Sequence, residues 1–293
     1  MARWWLLLLF LGVWMGAGLA LIDGPAAGVP ATGEAEAPLR IVCLAPSVTE
    51  IVCALGLADA LVGVSQFSDY PPSVMGKARV GSFWQPDIEA VIALRPDLVV
   101  ALDFPQQRDV AGRLNRVGFR TICVRDEYVK ELFEAIEYIG AATARTAQAA
   151  ALAADMKRKL AQIRGPQAAD PRPRVLWVVQ REPLRVAGRD TFVNELIELA
   201  GGVNAIGPTV QKYPPVGAEQ VVGRQVDVII EPAMGAGDLD GQQRTAEAFW
   251  GRYGAVPAVQ NKRVYVICGD SVSRLGPRLC EGVSLVARCL GTD

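Results

Sequence analysis

Glu89-Ala-Val-Ile-Ala-Leu-Arg-Pro-Asp97-Leu-Val-Val decides the fold, because a second stretch built alike follows about 130 residues later: Glu219-Gln-Val-Val-Gly-Arg-Gln-Val-Asp227-Val-Ile-Ile. In each, a glutamate opens a short apolar helix, an aspartate follows eight residues on, and a run of mostly β-branched residues comes next. A short helix leading into a continuous apolar strand is half of a parallel α/β unit. Its recurrence predicts two similar α/β lobes, each presenting one carboxylate at the same place. Either glutamate alone is accounted for by the positive end of a helix dipole, which favours an acid in the first turn. Two placed alike read as a matched pair of pegs.

Outward from the first copy, Arg40 to Leu44 is the first expected strand. Ser47-Val-Thr-Glu50 is expected to form a capping box opening a helix that stops near Gly56. Leu61 to Ser65, Leu98 to Leu102 and Thr121 to Val124 are the next strands, which gives an N-terminal lobe over residues 40–142. From Thr143 to Ile163 the chain is dense in Ala, Leu, Lys, Arg and Gln, without Gly or Pro, and stops at Gly165-Pro166. That predicts one continuous inter-lobe helix over 143–165, roughly 30 Å long. The C-terminal lobe, 166–293, starts with a strand at Val175 to Val179 and closes with a helix near Arg278 to Leu290. The expected fold class is therefore α/β: two Rossmann-like lobes with parallel sheets, joined by one long backbone helix. Such a strut predicts lobes that tilt only slightly around a ligand held between them.

Composition removes several functions. A net charge of −1 does not suit a nucleic-acid surface. Histidine is absent, which removes the usual general base, the commonest metal ligand and the common axial haem ligand. There is no G-x-S-x-G elbow and no G-x-G-x-x-G after a strand, so an exported α/β enzyme is the weakest reading. No catalytic residue, metal site or cofactor is expected. Arg3, the uncharged run Trp4 to Leu21 and Gly18-Leu19-Ala20 read as a signal peptide or retained N-terminal anchor over residues 1–21. Residues 22–39, rich in Ala, Gly and Pro, read as a flexible linker. Either way the folded part is expected outside the cytoplasm, in the periplasm. No cysteine follows the apolar run, so a lipid anchor is not supported. Six cysteines leave any pairing open. Cys280 and Cys289, nine residues apart on one expected helix, face opposite ways and cannot bond each other. Buried thiols, with room for one disulfide, are the expectation.

Leu44-Ala-Pro-Ser-Val-Thr-Glu50-Ile, Ala54-Leu-Gly56, Val62-Gly-Val-Ser65, Asp69-Tyr-Pro-Pro72 and Ala93-Leu-Arg-Pro-Asp97-Leu-Val together resemble the helical-backbone, class III periplasmic substrate-binding proteins of ABC importers. That family serves cobalamin, ferric siderophores and haem, and the resemblance runs from about Arg40 to Leu290. It implies a monomer that holds its ligand in the inter-lobe cleft and docks Glu89 and Glu219 onto the two subunits of an ABC permease dimer. Within the family the likeness is greatest to cobalamin-binding members. It rests on Ser65-Gln-Phe67-Ser-Asp-Tyr-Pro-Pro, Phe83-Trp84-Gln85, Tyr213-Pro-Pro and Asp270-Ser-Val-Ser-Arg274-Leu-Gly-Pro-Arg278. It implies Phe67, Trp84 and Tyr213 as aromatic ligand contacts and Asp270 with Arg274 as a polar pair. One further aromatic of that pattern is replaced by Leu102.

The residues themselves allow two readings at each of these positions. Trp84 lies among Gly81, Ser82, Gln85 and Pro86, a turn, where an aromatic either meets a ligand or caps the lobe core. Tyr213 precedes Pro214-Pro215 on a stiff loop. Asp270 and Arg274 either receive ligand amides or pair with each other at the surface. A corrinoid, a broad apolar ring rimmed with amides, suits aromatic walls and a few hydrogen-bonding groups. The runner-up is an anionic ferric siderophore, for which Arg185, Arg189, Arg274 and Arg278 are candidates. Haem is disfavoured without histidine, although tyrosine ligation stays open.

Overall fold

The protein is described by a computed structural model covering residues 39–163, 171–233 and 237–291. The expected signal peptide or anchor lies outside these residues, as does all of the linker except Leu39. That residue is partly buried and packs against the main apolar cluster.

The first lobe is a five-stranded parallel sheet in the order β3-β2-β1-β4-β5. Its strands are β1 (Ile41–Cys43), β2 (Leu61–Val64), β3 (Ala78–Arg79), β4 (Leu98–Leu102) and β5 (Thr121–Val124). Both β1 and β4 are buried along their whole length, as continuous apolar runs with helices on both faces must be. Alternation along the strands sorts the core. Ile41, Cys43 and Val100 face α1 (Pro46–Ala54) and α4 (Val129–Ala142), while Val42, Leu44 and Val99 face α2 (Ile88–Ala93) and α3 (Pro105–Arg116).

The expected capping box does not form. Pro46, whose missing N–H and fixed φ suit a first helical position, starts α1 two residues early, so Ala45 becomes the cap and makes no side-chain bond. Ser47 Oγ instead donates to Asp126 Oδ2 at 2.8 Å, and Glu50 reaches into the cleft.

The inter-lobe helix also starts later than expected. The chain leaves α4 at Thr143, Ala144 adopts a left-handed φ of 56°, and α5 begins at Thr146 and runs to Ile163. Its 18 residues give a length of about 27 Å. No Gly or Pro marks this reversal, which is why the sequence reads straight through it. Close packing of the two helices fixes the turn: a Cβ on Gly140 would lie 2.4 Å from that of Ala149. On its other side α5 meets α10 (Leu279–Leu290), where Cys280 Sγ donates to the Met156 carbonyl at 3.5 Å. The backbone helix thus touches both lobes.

The second lobe is mixed rather than wholly parallel. Its order is β10-β9-β6-β7, built from β6 (Arg174–Arg181), β7 (Leu184–Val186), β9 (Val228–Pro232) and β10 (Val264–Ile267), with β8 (Val203–Asn204) also paired to β6. All pairs are parallel except β6 with β7, which only the short Glu182-Pro183 turn separates. Antiparallel strands can be joined that tightly, whereas parallel ones need a crossover. The lobe's remaining helices are α6 (Phe192–Leu199), α7 (Ala218–Val222), α8 (Leu239–Trp250) and α9 (Pro257–Gln260).

The sequence repeat is a structural repeat. Asp97 Oδ2 accepts from the Arg40 N–H entering β1, and Asp227 Oδ2 accepts from the Arg174 N–H entering β6, both at 2.8 Å. Each arginine then donates its Nε to the turn after the preceding helix, Arg40 to Leu94 and Arg95 and Arg174 to Arg224. The residue six places after each glutamate is left-handed, with φ 43° at Arg95 and 49° at Gln225.

Cys43, Cys53, Cys123, Cys268 and Cys280 are free thiols. No helix among the described residues is long and apolar enough to cross a membrane.

Candidate functional site in the cleft between the lobes

Ligands of open parallel sheets bind beyond the carboxyl ends of the strands, and the expected ligand residues lie on loops leaving those ends. Phe67 follows β2. Its loop is pinned by a polar web: Ser68 Oγ bonds Ser65 Oγ at 2.8 Å and Thr49 Oγ1 at 3.0 Å, while Arg79 donates to the Ser65 and Ser68 carbonyls. With its neighbours anchored, Phe67 is left 61% exposed.

Trp84 tops the turn Gly81–Pro86 and is 64% exposed, so it does not cap the lobe core. The turn is closed by Ser82 N donating to the Gln85 carbonyl and Gln85 N donating to Ser82 Oγ. Gly81 needs its glycine, because at φ 88° a Cβ would meet Asp87 N and the Gln85 carbonyl at 2.5 Å. Beneath the turn, buried Gln107 donates to the Leu44 and Phe83 carbonyls and accepts from Leu102 N. It ties the ends of β1 and β4 to the tryptophan turn. Nothing in its sequence neighbourhood advertises this role.

An aromatic, Phe104, stands two residues after Leu102. Leu102 is buried in the core, while Phe104 stacks on Phe83 at 4.7 Å and meets Trp84 edge-on at 5.7 Å. Phe83, Trp84 and Phe104 form one aromatic wall.

In the second lobe, residues 212–216 run alongside β7. Gly188 N donates to the Lys212 carbonyl, Val186 N to that of Pro214, and Arg185 Nη1 to that of Tyr213. Tyr213 is thereby held over a recess of about 230 Å³ whose lining includes Trp177, Val179, Phe192 and Val272. Burial there raises the phenol's pKa, so the ring presents a neutral hydroxyl.

The polar pair is rearranged. The ion pairs of Arg274 run across the cleft, to Asp69 at 2.7 Å and Glu50 at 3.6 Å, and not to Asp270. Its neighbour Arg278 grips Glu50 with two bonds, at 3.0 and 2.6 Å, and lies 3.9 Å over the Tyr70 ring. Glu50 is 4% exposed, a buried charge that its two arginines satisfy. Burial alone would raise the Asp69 pKa, but the bond and charge of Arg274 outweigh it and hold that carboxyl below its usual range. Asp270 acts on Arg278 only through space. A sequence reading places neither Glu50 nor Asp69 here, because their partners lie more than 200 residues away.

A second set of bonds joins the lobes elsewhere in the cleft. Tyr128 donates to Asp190 at 2.5 Å, Lys212 pairs with Glu127, and Glu195 accepts from Val129 N at 2.7 Å. The Asp190 bond pushes the Tyr128 pKa up to about 12. Deeper in the second lobe, buried Glu231 accepts from Trp250 Nε1 and pairs with Arg181.

Glu89 and Glu219 stand apart from this cleft chemistry. Both are exposed at the second position of α2 and α7, and among the described residues neither takes part in an ion pair. No group of His, Cys, Asp and Glu among the described residues is placed to hold a metal ion.

A family model for periplasmic binding proteins matches residues 41–270. The chain belongs to that family. Its relatives include the vitamin B12-binding protein of Vibrio cholerae, 30% identical over 254 residues, which are 86% of this chain and 88% of that protein. An uncharacterized ABC transporter substrate-binding lipoprotein of Bacillus subtilis is 32% identical over 87% of this chain and 81% of its own. Among solved structures, the periplasmic vitamin B12 binding protein of Vibrio cholerae superposes with a TM-score of 0.74 at 28% identity, covering 86% of this chain and 96% of that one.

Proposed function

We propose that this chain is the extracytoplasmic substrate-binding component of an ABC importer, that it captures a corrinoid of the cobalamin type between its lobes, and that it delivers the ligand to a permease dimer. The observation that carries this reading is the set of aromatic side chains at the carboxyl ends of the strands: exposed Phe67, Trp84 and Tyr213, with Trp84 backed by Phe83 and Phe104, which pack against the core. A broad, largely neutral ligand with apolar faces is what such walls bind. The relatives that bind vitamin B12 support the same ligand. Glu89 and Glu219, one per lobe and placed alike, suit a two-fold symmetric partner, with the binding protein acting as a monomer. Capture and delivery need no catalysis by this chain.

The second reading, an anionic ferric siderophore, is favoured by Arg185 and Arg189, whose guanidiniums bond backbone carbonyls rather than carboxylates. Calorimetric titration separates the two. With cyanocobalamin, Trp84→Ala weakens binding by about 1–3 kcal/mol, as expected for a buried aromatic contact. Arg274→Ala costs only about 0.5–1.5 kcal/mol if it serves neutral amides. Strong binding of a ferric siderophore that depends on arginine and falls steeply with salt, with no binding of cyanocobalamin, replaces the first reading with the second.

A further inference from the structure

Arg274 and Arg278 give the cleft its obvious anion receptor, yet both guanidiniums are already engaged by carboxylates. Glu50 engages Arg278 through both carboxylate oxygens and also approaches Arg274 Nη1, to which Asp69 Oδ1 binds at 2.7 Å. Asp270 adds a third negative charge felt at Arg278. The Tyr70 ring covers Arg278 from another side. Recognition of an anion by arginine needs free N–H groups in a planar fork. Here Nε and Nη2 of Arg278 and Nη1 of Arg274 already face carboxylates, and two positive charges stand against three negative ones.

We infer that Glu50 and Asp69 are specificity-determining residues: they cancel the cleft arginines and so turn away anionic ligands while leaving the aromatic walls open to neutral ones. The two acids do this differently. Glu50 is buried and rises from α1, so its charge is a fixed part of the floor. Asp69 sits on the loop anchored by Ser65 and Ser68, with half of its side chain in solvent, and is the partner that controls access to Arg274. Discrimination of this kind works by repulsion of the wrong ligand rather than by added attraction to the right one. The inference rests on the reading of the cleft as a site for a neutral corrinoid, and the following experiment tests the two separately.

The probe is the trianionic iron(III) complex of a hexadentate tris-catecholate, titrated into the full chain at low and at physiological salt. Asp69→Asn and Glu50→Gln each raise affinity for this anion at least tenfold over the unaltered protein, and the gain shrinks as salt rises. Adding Arg274→Gln to Asp69→Asn removes the gain, which shows that the exposed guanidinium receives the anion. Asp69→Asn alters a half-exposed side chain, so the test stands even if Glu50→Gln fails to fold. Unchanged anion affinity in Asp69→Asn, or a gain that persists after Arg274→Gln, overturns the inference. A parallel titration with cyanocobalamin bears only on the corrinoid reading. Its failure beside a tenfold gain for the anion in Asp69→Asn overturns that reading and leaves the charge-cancelling role intact.

Discussion

The two copies of the helix–strand unit are alike where each lobe is built and unlike where the lobes face each other. At the strand entrances, Asp97 and Asp227 hold the incoming arginine backbone in the same way, and Arg95 and Gln225 take the same left-handed turn. At the helix starts, Glu89 and Glu219 occupy the same position, although Asp87 caps the first helix and Gln220 reaches back to the Gly217 N–H in the second. At the cleft the likeness ends. The first lobe supplies the acids Glu50 and Asp69 with Phe67 and Trp84, while the second supplies Arg274, Arg278 and Tyr213. The shared part is what a strand needs in order to start and a helix needs in order to cap. The differing part is chemistry between opposed surfaces, where complementarity, not sameness, is required.

The strongest challenge to the likeness is at the glutamates. Replacing Glu89 and Glu219 together by Ala lowers ligand uptake more than tenfold, because paired contacts of this kind are worth a few kcal/mol, and leaves ligand affinity within about twofold. Uptake by whole cells set against titration of the purified protein measures both. A double variant with normal uptake removes the docking role, and two single variants of very different severity break the equivalence.

Next come the aspartates. Asp227→Ala leaves a half-buried Arg174 N–H unsatisfied and costs about 1–3 kcal/mol, while Asp97→Ala, at a more exposed site, costs roughly 0.5–1.5 kcal/mol. Urea unfolding measures each. An indifferent Asp227→Ala would show that the second copy resembles the first in shape alone.

Asp126 follows β5 in the first lobe and accepts from Ser47 Oγ. Burial, opposed by the Ser47 hydrogen bond and reinforced by Glu131, raises its pKa to about 6. The native carboxyl therefore holds a proton that the unfolded chain releases near pH 4. This contribution to stability is full below that pH and is lost as pH rises through about 6. Asp126→Asn is thus more stable than the original by roughly 1–2 kcal/mol above pH 7 and matches it near pH 4. Thermal melts across this range decide it, and an equal gain at every pH would mean the carboxyl is not the cause.

The smallest effect is at the left-handed turns. Arg95→Gly and Gln225→Gly each remove a strained φ and stabilise by roughly 0.5 kcal/mol, after the added freedom of the unfolded chain is subtracted. A destabilised Arg95→Gly beside a stabilised Gln225→Gly would separate the two turns.

How much of this was legible follows from sequence distance. The repeat was visible because a short helix, a turn and a buried strand are encoded within a dozen residues. Trp84 lies in a turn announced by Gly, Ser and Pro, which left ligand contact and core capping both open, and Phe67 entered only through the family resemblance; the fold leaves both side chains exposed. The break at Ala144 was hidden, since alanine carries no turn signal and the cause is packing against Ala149. Glu50 looked like a capping residue because Ser47-Val-Thr-Glu50 has the right local spacing, and only the folded chain brings Arg278 to it. Phe104 was missed because an aromatic wall is set by where strand β4 ends, not by alignment at Leu102.

The tryptophans of the described residues fall into two optical classes. Trp84 stands in water at the cleft, whereas Trp250 is sealed in the second lobe with its indole N–H on Glu231. An indole in water emits at longer wavelength than one in an apolar core, so the protein carries a reporter and a built-in reference in the same spectrum. Occupation of the cleft changes the shape of the emission band, chiefly at its red side, where Trp84 emits, while buried Trp177 lines the recess under Tyr213 and Trp250 lies away from it. The band shape follows loading without any attached dye.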